Sequence, residues 1–155
     1  GRLGSVVALA LKHRGAQVEV SGKDPEKLGR LQALGVPVRG GTPSPQYRFV
    51  VEATGSPEGA ELARRWTRPA GTVVIKSTSH HDSRIELSSI VVNEQRLVGS
   101  RCGAFPPALE LLATGLLPLE QLVTRIYPLS KVAEAFAESR KPGVFKIILD
   151  LSEAS

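Results

Sequence analysis

Apolar residues fall in short blocks along this chain, and the spacing within the blocks switches between a helical and a strand period. Ser5 to Arg14 is apolar on most sides of a helical projection, as suits a helix held between a sheet and a neighbouring layer. Gly15 is placed to stop it. AQVEVSG then alternates as a short strand ending at Gly22. Asp24 suits an N-cap and Pro25 the first helical position, so a second helix is predicted through Leu34, with Gly35 as its stop. VPVRG reads as a brief strand and GTPSPQY as a loop. RFVVEATGS is a third strand with a glycine-rich exit, after which Ser56 and Pro57 suit the start of a helix through Trp66. AGTVVIKSTS is a fourth strand, followed by a polar loop through HHDSR. IELSSIVVNEQRLVGSRCG holds a short helical or irregular stretch and a strand at Arg96–Ser100. Helices around Pro107–Thr114 and Ser130–Ser139 and a final strand, GVFKIILDL, complete the pattern.

Strands dense in Val and Ile alternate with helices at short spacing, which is the pattern of a parallel sheet covered on both faces. The predicted fold is α/β: a doubly wound, mostly parallel sheet of the Rossmann type. Ligands of such sheets bind at the carboxyl ends of the strands. The glycine and polar exits Gly22, Thr54-Gly55, Ser77-Thr78 and Ser100 all fall at those predicted ends.

Composition narrows the class. At 155 residues, with 41% hydrophobic and 23% charged positions, the chain suits one soluble globular domain. No apolar run reaches the ~20 residues of a membrane span, and the order of charges after Ser5–Leu11 is wrong for a signal peptide. The single cysteine, Cys102, excludes an internal disulfide and a cysteine-rich zinc site, and favours a cytoplasmic setting. The net charge of +5 is spread along the chain without a dense basic run, so neither nucleic acid nor membrane is an expected partner.

The candidate chemistry begins at the first residues, GRLG. Gly1 and Gly4 fit the second and third glycines of a G-x-G-x-x-G dinucleotide loop, in which free backbone N–H groups at a helix start face an anion. Arg2 within the turn adds positive charge. The first glycine of the motif and its strand do not precede it, and there is no Met at position 1, so the chain is expected to be cut at or before its first strand. That strand is central in the order 3-2-1-4-5-6. Val144–Leu151, without an evident partner of its own, is a candidate to fill the slot, to pair with another molecule or to attach at an edge. About 20 residues past the glycine turn, where an acid ordinarily binds the ribose hydroxyls, the strand ends in Ser21-Gly22-Lys23 without a carboxylate at its tip. A small residue followed by a cation leaves room for the 2′-phosphate of NADP and offers it a counter-charge, so NADP is favoured over NAD.

The blocks GRLGSVVALALKHRGAQVEVSGKDPEKL, VVEATGSPEGAELARRWTRPAGTVVIKST, RLVGSRCGAFPPALELLATGLL and PLSKVAEAFAESRKPGVFKIILDL resemble, in order and spacing, the medium-chain dehydrogenase/reductases of the zinc-dependent alcohol dehydrogenase type. The resemblance covers nearly the whole chain. It implies a coenzyme-binding domain over residues 1–126, and a helix and strand over 127–155 that return toward a catalytic domain. Arg2 and Leu3 would border the pyrophosphate, Gly22 and Lys23 the adenosine ribose, and Thr54 and Gly55 the central linkage. Lys76, Ser77 and Thr78, with Ser100, Arg101 and Cys102, would approach the nicotinamide; Lys76 departs from the apolar residue common there. The family's zinc and its ligands belong to an upstream catalytic domain. This stretch would therefore carry no catalytic residue and no metal, and alone would be inactive on the small alcohol or carbonyl substrate. Homo-oligomer formation is compatible with the resemblance.

Other readings stay open. A Rossmann-like module that binds or senses a nucleotide without redox chemistry is the alternative, and a methyltransferase a weaker third. Tyr127 and Lys131 match the Y-x-x-x-K pair of short-chain dehydrogenases, but Pro128 and Ser130 place a helix start after Tyr127 and separate the pair. His80, His81 and Asp82 read as a polar loop rather than a metal site, and Cys102 as a small strand-end residue with no base nearby.

Overall fold

The computed structural model describes residues 1–78 and 82–152. The chain forms two compact units, Gly1–Arg39 with Phe105–Ser155, and Gly40–Ala104. Every strand pair among the described residues is parallel, as the α/β pattern predicts.

In the first unit, helix α1 spans Arg2–His13 and α2 Pro25–Ala33. Both end in the same way. Gly15 and Gly35 adopt positive φ (83° and 72°), and Ala16 and Val36 donate back to Leu11 and Leu31 at 3.0 Å. This six-residue closure needs a left-handed residue and satisfies carbonyls the helix leaves open. Lys12 Nζ adds a bond of 2.9 Å to the Leu34 carbonyl at the end of α2. The start of α2 is as predicted: Pro25 occupies the first turn and Asp24 caps it, accepting from the Lys27 N–H at 3.1 Å. Asp24 also accepts from the Gly143 N–H at 3.0 Å, tying the cap to the loop before the last strand.

The predicted strands at AQVEVSG and VPVRG shrink to one bridge, Val20 with Val38. Two bonds make it, from Val20 N to the Pro37 carbonyl at 2.9 Å and from Arg39 N to the Val20 carbonyl at 2.7 Å. The segments lie in the predicted relation, but one bridge is too short to form a ladder.

The final strand has a partner, contrary to the sequence reading. Strand β5 (Lys146–Asp150) pairs in parallel with β4 (Val123–Pro128), with Ile126 opposite Ile148 and Tyr127 opposite Leu149. Helix α6 (Val132–Glu138) connects and packs on them. Self-filling of a central slot is therefore not seen. Tyr127 lies in β4, and a 3-10 turn begins only at Leu129, so Tyr127 and Lys131 do not share a helix. Helix α5 runs Phe105–Ala113, close to its predicted span. The core of this unit is Ala8, Leu9, Leu31, Val36, Leu117, Leu122 and Phe145, with Phe145 only 1% exposed.

In the second unit β1 (Tyr47–Glu52), β2 (Thr67–Ile75) and β3 (Arg96–Gly99) form a parallel sheet in the order β1-β2-β3. Helix α3 (Gly59–Trp66) links the first pair and α4 (Leu87–Val92) the second. Strand β2 begins three residues before the predicted Ala70, because a bulge interrupts it. Tyr47 faces Thr67, yet Phe49 faces Thr72. Within the bulge Ala70 has φ 56°, and a Cβ on Gly71 would lie 2.6 Å from Thr67 Cγ2 and 2.8 Å from the Arg68 carbonyl. Thr67 is fully buried, donating to the Ala63 carbonyl at 2.9 Å, while Gln95 Nε2 reaches the Thr67 carbonyl at 2.6 Å.

One titration follows from the first unit. The Gly143 N–H, then that of Lys27, lowers the Asp24 carboxyl to about 2. A carboxyl depressed on folding stabilises above its unfolded value of about 3.9 and loses that contribution as pH falls through its folded value. Asp24→Ala should lower the melting temperature near pH 7, and the gap from the parent should close between about pH 5 and pH 2. Thermal melts across that range provide the check; a gap independent of pH would contradict the role of the charge.

Candidate functional site at the strand exits

The parallel order of β1, β2 and β3 sends all three chains out at one edge of the second unit. The predicted residues Thr54, Gly55, Lys76, Ser77, Thr78, Ser100, Arg101 and Cys102 all follow these strands. Two side chains organise them, Glu52 and the predicted Lys76.

The first is Glu52, the last residue of β1, which is 4% exposed. Its Oε1 accepts from the Thr54 N–H and Thr54 Oγ1, both at 2.6 Å, and from the Gly55 N–H at 3.2 Å. Its Oε2 accepts from Ser77 Oγ, at the exit of β2. Burial alone would raise the Glu52 carboxyl, but the Ser77 and Thr54 hydroxyls and the two backbone N–H groups outweigh it and hold the group below its ordinary value. Gly55 closes the turn at φ 68°, and Ser56 N–H returns to Thr54 Oγ1 at 3.1 Å.

The second is Lys76. Its Nζ donates to Ser100 Oγ at 3.3 Å and to the Arg101 carbonyl, tying the exit of β2 to that of β3. Lys76 thus has a definite task where an apolar residue is the more common choice in the family it resembles. Thr78, Arg101 and Cys102 are exposed.

In the first unit, Gly1 caps α1 without a side-chain hydrogen bond, and Arg2 and Leu3 are exposed in its first turn, with Gly4 behind them. The early N–H groups of a helix have no partner within it, so they face outward toward any anion. Ser21, Gly22 and Lys23 follow the Val20 bridge and are exposed. A Cβ on Gly22 would meet Leu28 Cδ2 at 3.5 Å, ordinary contact, so a side chain is admissible there.

Among the described residues no group of three or more His, Cys, Asp and Glu side chains is placed to hold a metal ion. His80 and His81 lie outside the described residues. No described helix is long and apolar enough to cross a membrane.

Glu52 organises these exits, and the sequence reading does not single it out. A glutamate ending a strand ordinarily reads as solvated. The available signal is its setting, E-A-T-G with Gly59 beyond, in which a threonine and a glycine stand two and three positions after a carboxylate.

This is the architecture of a parallel dinucleotide-fold sheet with its polar exits at the carboxyl edge. No family model matches the chain. Sorbitol dehydrogenase of Mus musculus is 26% identical over 167 residues, which take in 96% of this chain and 47% of that protein. A short chain alcohol dehydrogenase from Escherichia coli CFT073, complexed with cofactor NADH, superposes with a TM-score of 0.82 at 22% identity, over 96% of this chain and 49% of its own. A protein of Sinorhizobium meliloti 1021 described as a zinc-binding dehydrogenase and bound to NADP gives 0.85 at 20% identity, again over 96% and 49%. The two structures speak to the fold. The sequence match shows a likeness to sorbitol dehydrogenase along nearly the whole chain. The chain spans about half the length of the curated relatives it matches. All three of these proteins are described as dehydrogenases.

The packing at the β1 exit can be tested by adding one carbon. A Cβ on Gly59 would lie 2.5 Å from Glu52 Oε1 and closer still to Thr54 Oγ1. Gly59→Ala should cost about 1–3 kcal/mol, the usual range for overpacking. Denaturant unfolding would measure it, and a variant as stable as the parent would mean that the exit is not packed as described.

Proposed function

We propose that the chain binds a nicotinamide dinucleotide, with NADP preferred over NAD, as the coenzyme-binding part of a zinc-type alcohol dehydrogenase-like oxidoreductase. The observation that carries this reading is the match to sorbitol dehydrogenase along 96% of the chain. By matching motif positions, Gly1, Arg2, Leu3 and Gly4 receive the pyrophosphate on the N–H groups of α1. Ser21, Gly22 and Lys23 receive the adenosine ribose and its 2′-phosphate. Thr54 and Gly55 border the central linkage, while Lys76, Ser77, Thr78, Ser100, Arg101 and Cys102 approach the nicotinamide. The bound nicotinamide supplies the hydride chemistry; this chain's residues bind and orient it.

In this reading residues 1–126 form the dinucleotide-binding domain and residues 127–155 lead toward the portion that holds the small alcohol or carbonyl substrate. The single cysteine and the mixed surface charge support a cytoplasmic protein, and the fold admits a homo-oligomer.

Cofactor choice supplies the test. Gly22 is exposed, and a carboxylate there would face the 2′-phosphate directly. Like charges about 4 Å apart repel by about 1–4 kcal/mol between bulk water and a partly shielded surface. Fluorescence titration of the full chain should show tighter binding of NADPH than NADH, and Gly22→Asp should reverse the order. Equal affinities in the parent, unchanged by the substitution, would refute the NADP preference. Absence of binding to either would refute the dinucleotide reading itself.

A further inference from the structure

We propose that Glu52 is a positioning residue for the coenzyme, orienting the hydroxyls of Thr54 and Ser77 so that both present lone pairs to the nicotinamide-bearing half of the dinucleotide. The inference rests on the dinucleotide reading above.

A hydroxyl has one hydrogen to give and two lone pairs to receive with. An ionised carboxylate can only accept. Ser77 Oγ therefore commits its hydrogen to Glu52 Oε2, and Thr54 Oγ1 commits its own to Oε1 at 2.6 Å. The longer contact from Thr54 Oγ1 to Ser56 Oγ, 3.2 Å, loses that competition. Once their hydrogens are fixed inward, both oxygens can only accept at the strand exits, Thr54 Oγ1 with the one lone pair left beside the Ser56 N–H it already receives. The groups they can receive are donors, such as a ribose hydroxyl or a carboxamide N–H.

The arrangement is held rather than incidental. Glu52 is buried, none of the ion pairs among the described residues involves it, and four donors surround its two oxygens. A buried carboxylate without a cation stays charged only through such hydrogen bonds. Gly59 leaves the space that lets the carboxylate and the Thr54 hydroxyl approach each other.

Glu52→Gln preserves shape and reverses one donor. The two backbone N–H groups at Oε1 require the amide oxygen on their side, so the amide nitrogen must face Ser77. Ser77 must then accept, and its hydrogen turns outward. The experiment compares the full-length parent, Glu52→Gln, Ser77→Ala and the double variant for binding of NADPH and of 2′,5′-ADP, which carries only the adenosine half. Circular dichroism melts check folding. Glu52→Gln should weaken NADPH about tenfold, the scale of one hydrogen bond. Ser77→Ala should do the same, the double variant should be no worse than either single one, and 2′,5′-ADP should stay within about twofold throughout. Parent-like NADPH affinity in Glu52→Gln would overturn the proposal alone, as would equal loss of both ligands, the sign of a merely structural role. Failure of the parent to bind either ligand would overturn the dinucleotide reading and this inference with it.

Discussion

The second unit depends on how a negative charge is buried at the end of a strand. Removing a carboxylate from water is costly, and here no cation offsets it among the described residues. Glu52 is instead met by N–H and O–H groups from its own turn and from the neighbouring strand exit. That requirement determines the local chain: a small polar residue at 54, a glycine at 55 that can take φ 68°, a hydroxyl at 77, and no side chain at 59. Each residue that satisfies the charge also lies where a ligand of a parallel sheet would bind.

Lys76 extends the same logic to the third strand. By reaching Ser100 and the Arg101 carbonyl it gives the exit of β3 a fixed relation to that of β2. Three loops that would otherwise leave the sheet independently are thereby joined, β1 to β2 by a carboxylate and β2 to β3 by an ammonium. Preorganisation of this kind reduces the ordering a ligand must impose when it binds.

Much of this architecture was legible in the sequence, for identifiable reasons. The Asp24-Pro25 start of α2 is a local motif and was read correctly, as were the Val-rich strands β1 and β2 and the stops at Gly15 and Gly35. The misses are non-local. Strand β4 is short, carries Arg125 and ends in Pro128, so no period marks it; only its pairing with β5 makes it a strand. The bulge in β2 comes from register against β1, which one segment's pattern does not contain. AQVEVSG and VPVRG have strand alternation, yet they share only one bridge. Glu52 is not marked by its own segment, because its partner Ser77 lies 25 positions away. The exits themselves were recognisable, since glycine and small polar residues after apolar runs mark strand ends in any parallel sheet.

The central claim is that this chain receives a dinucleotide at its strand exits and at the start of α1. Amide chemical-shift mapping of the full chain during titration with NADP+ tests it most directly. The account predicts that the largest shifts fall on Arg2, Leu3, Gly22, Lys23, Thr54, Gly55, Ser77 and Ser100 to Cys102, while β4, β5 and α6 stay silent. Saturable binding with its shifts confined to other surfaces, or no shifts at all, would contradict it.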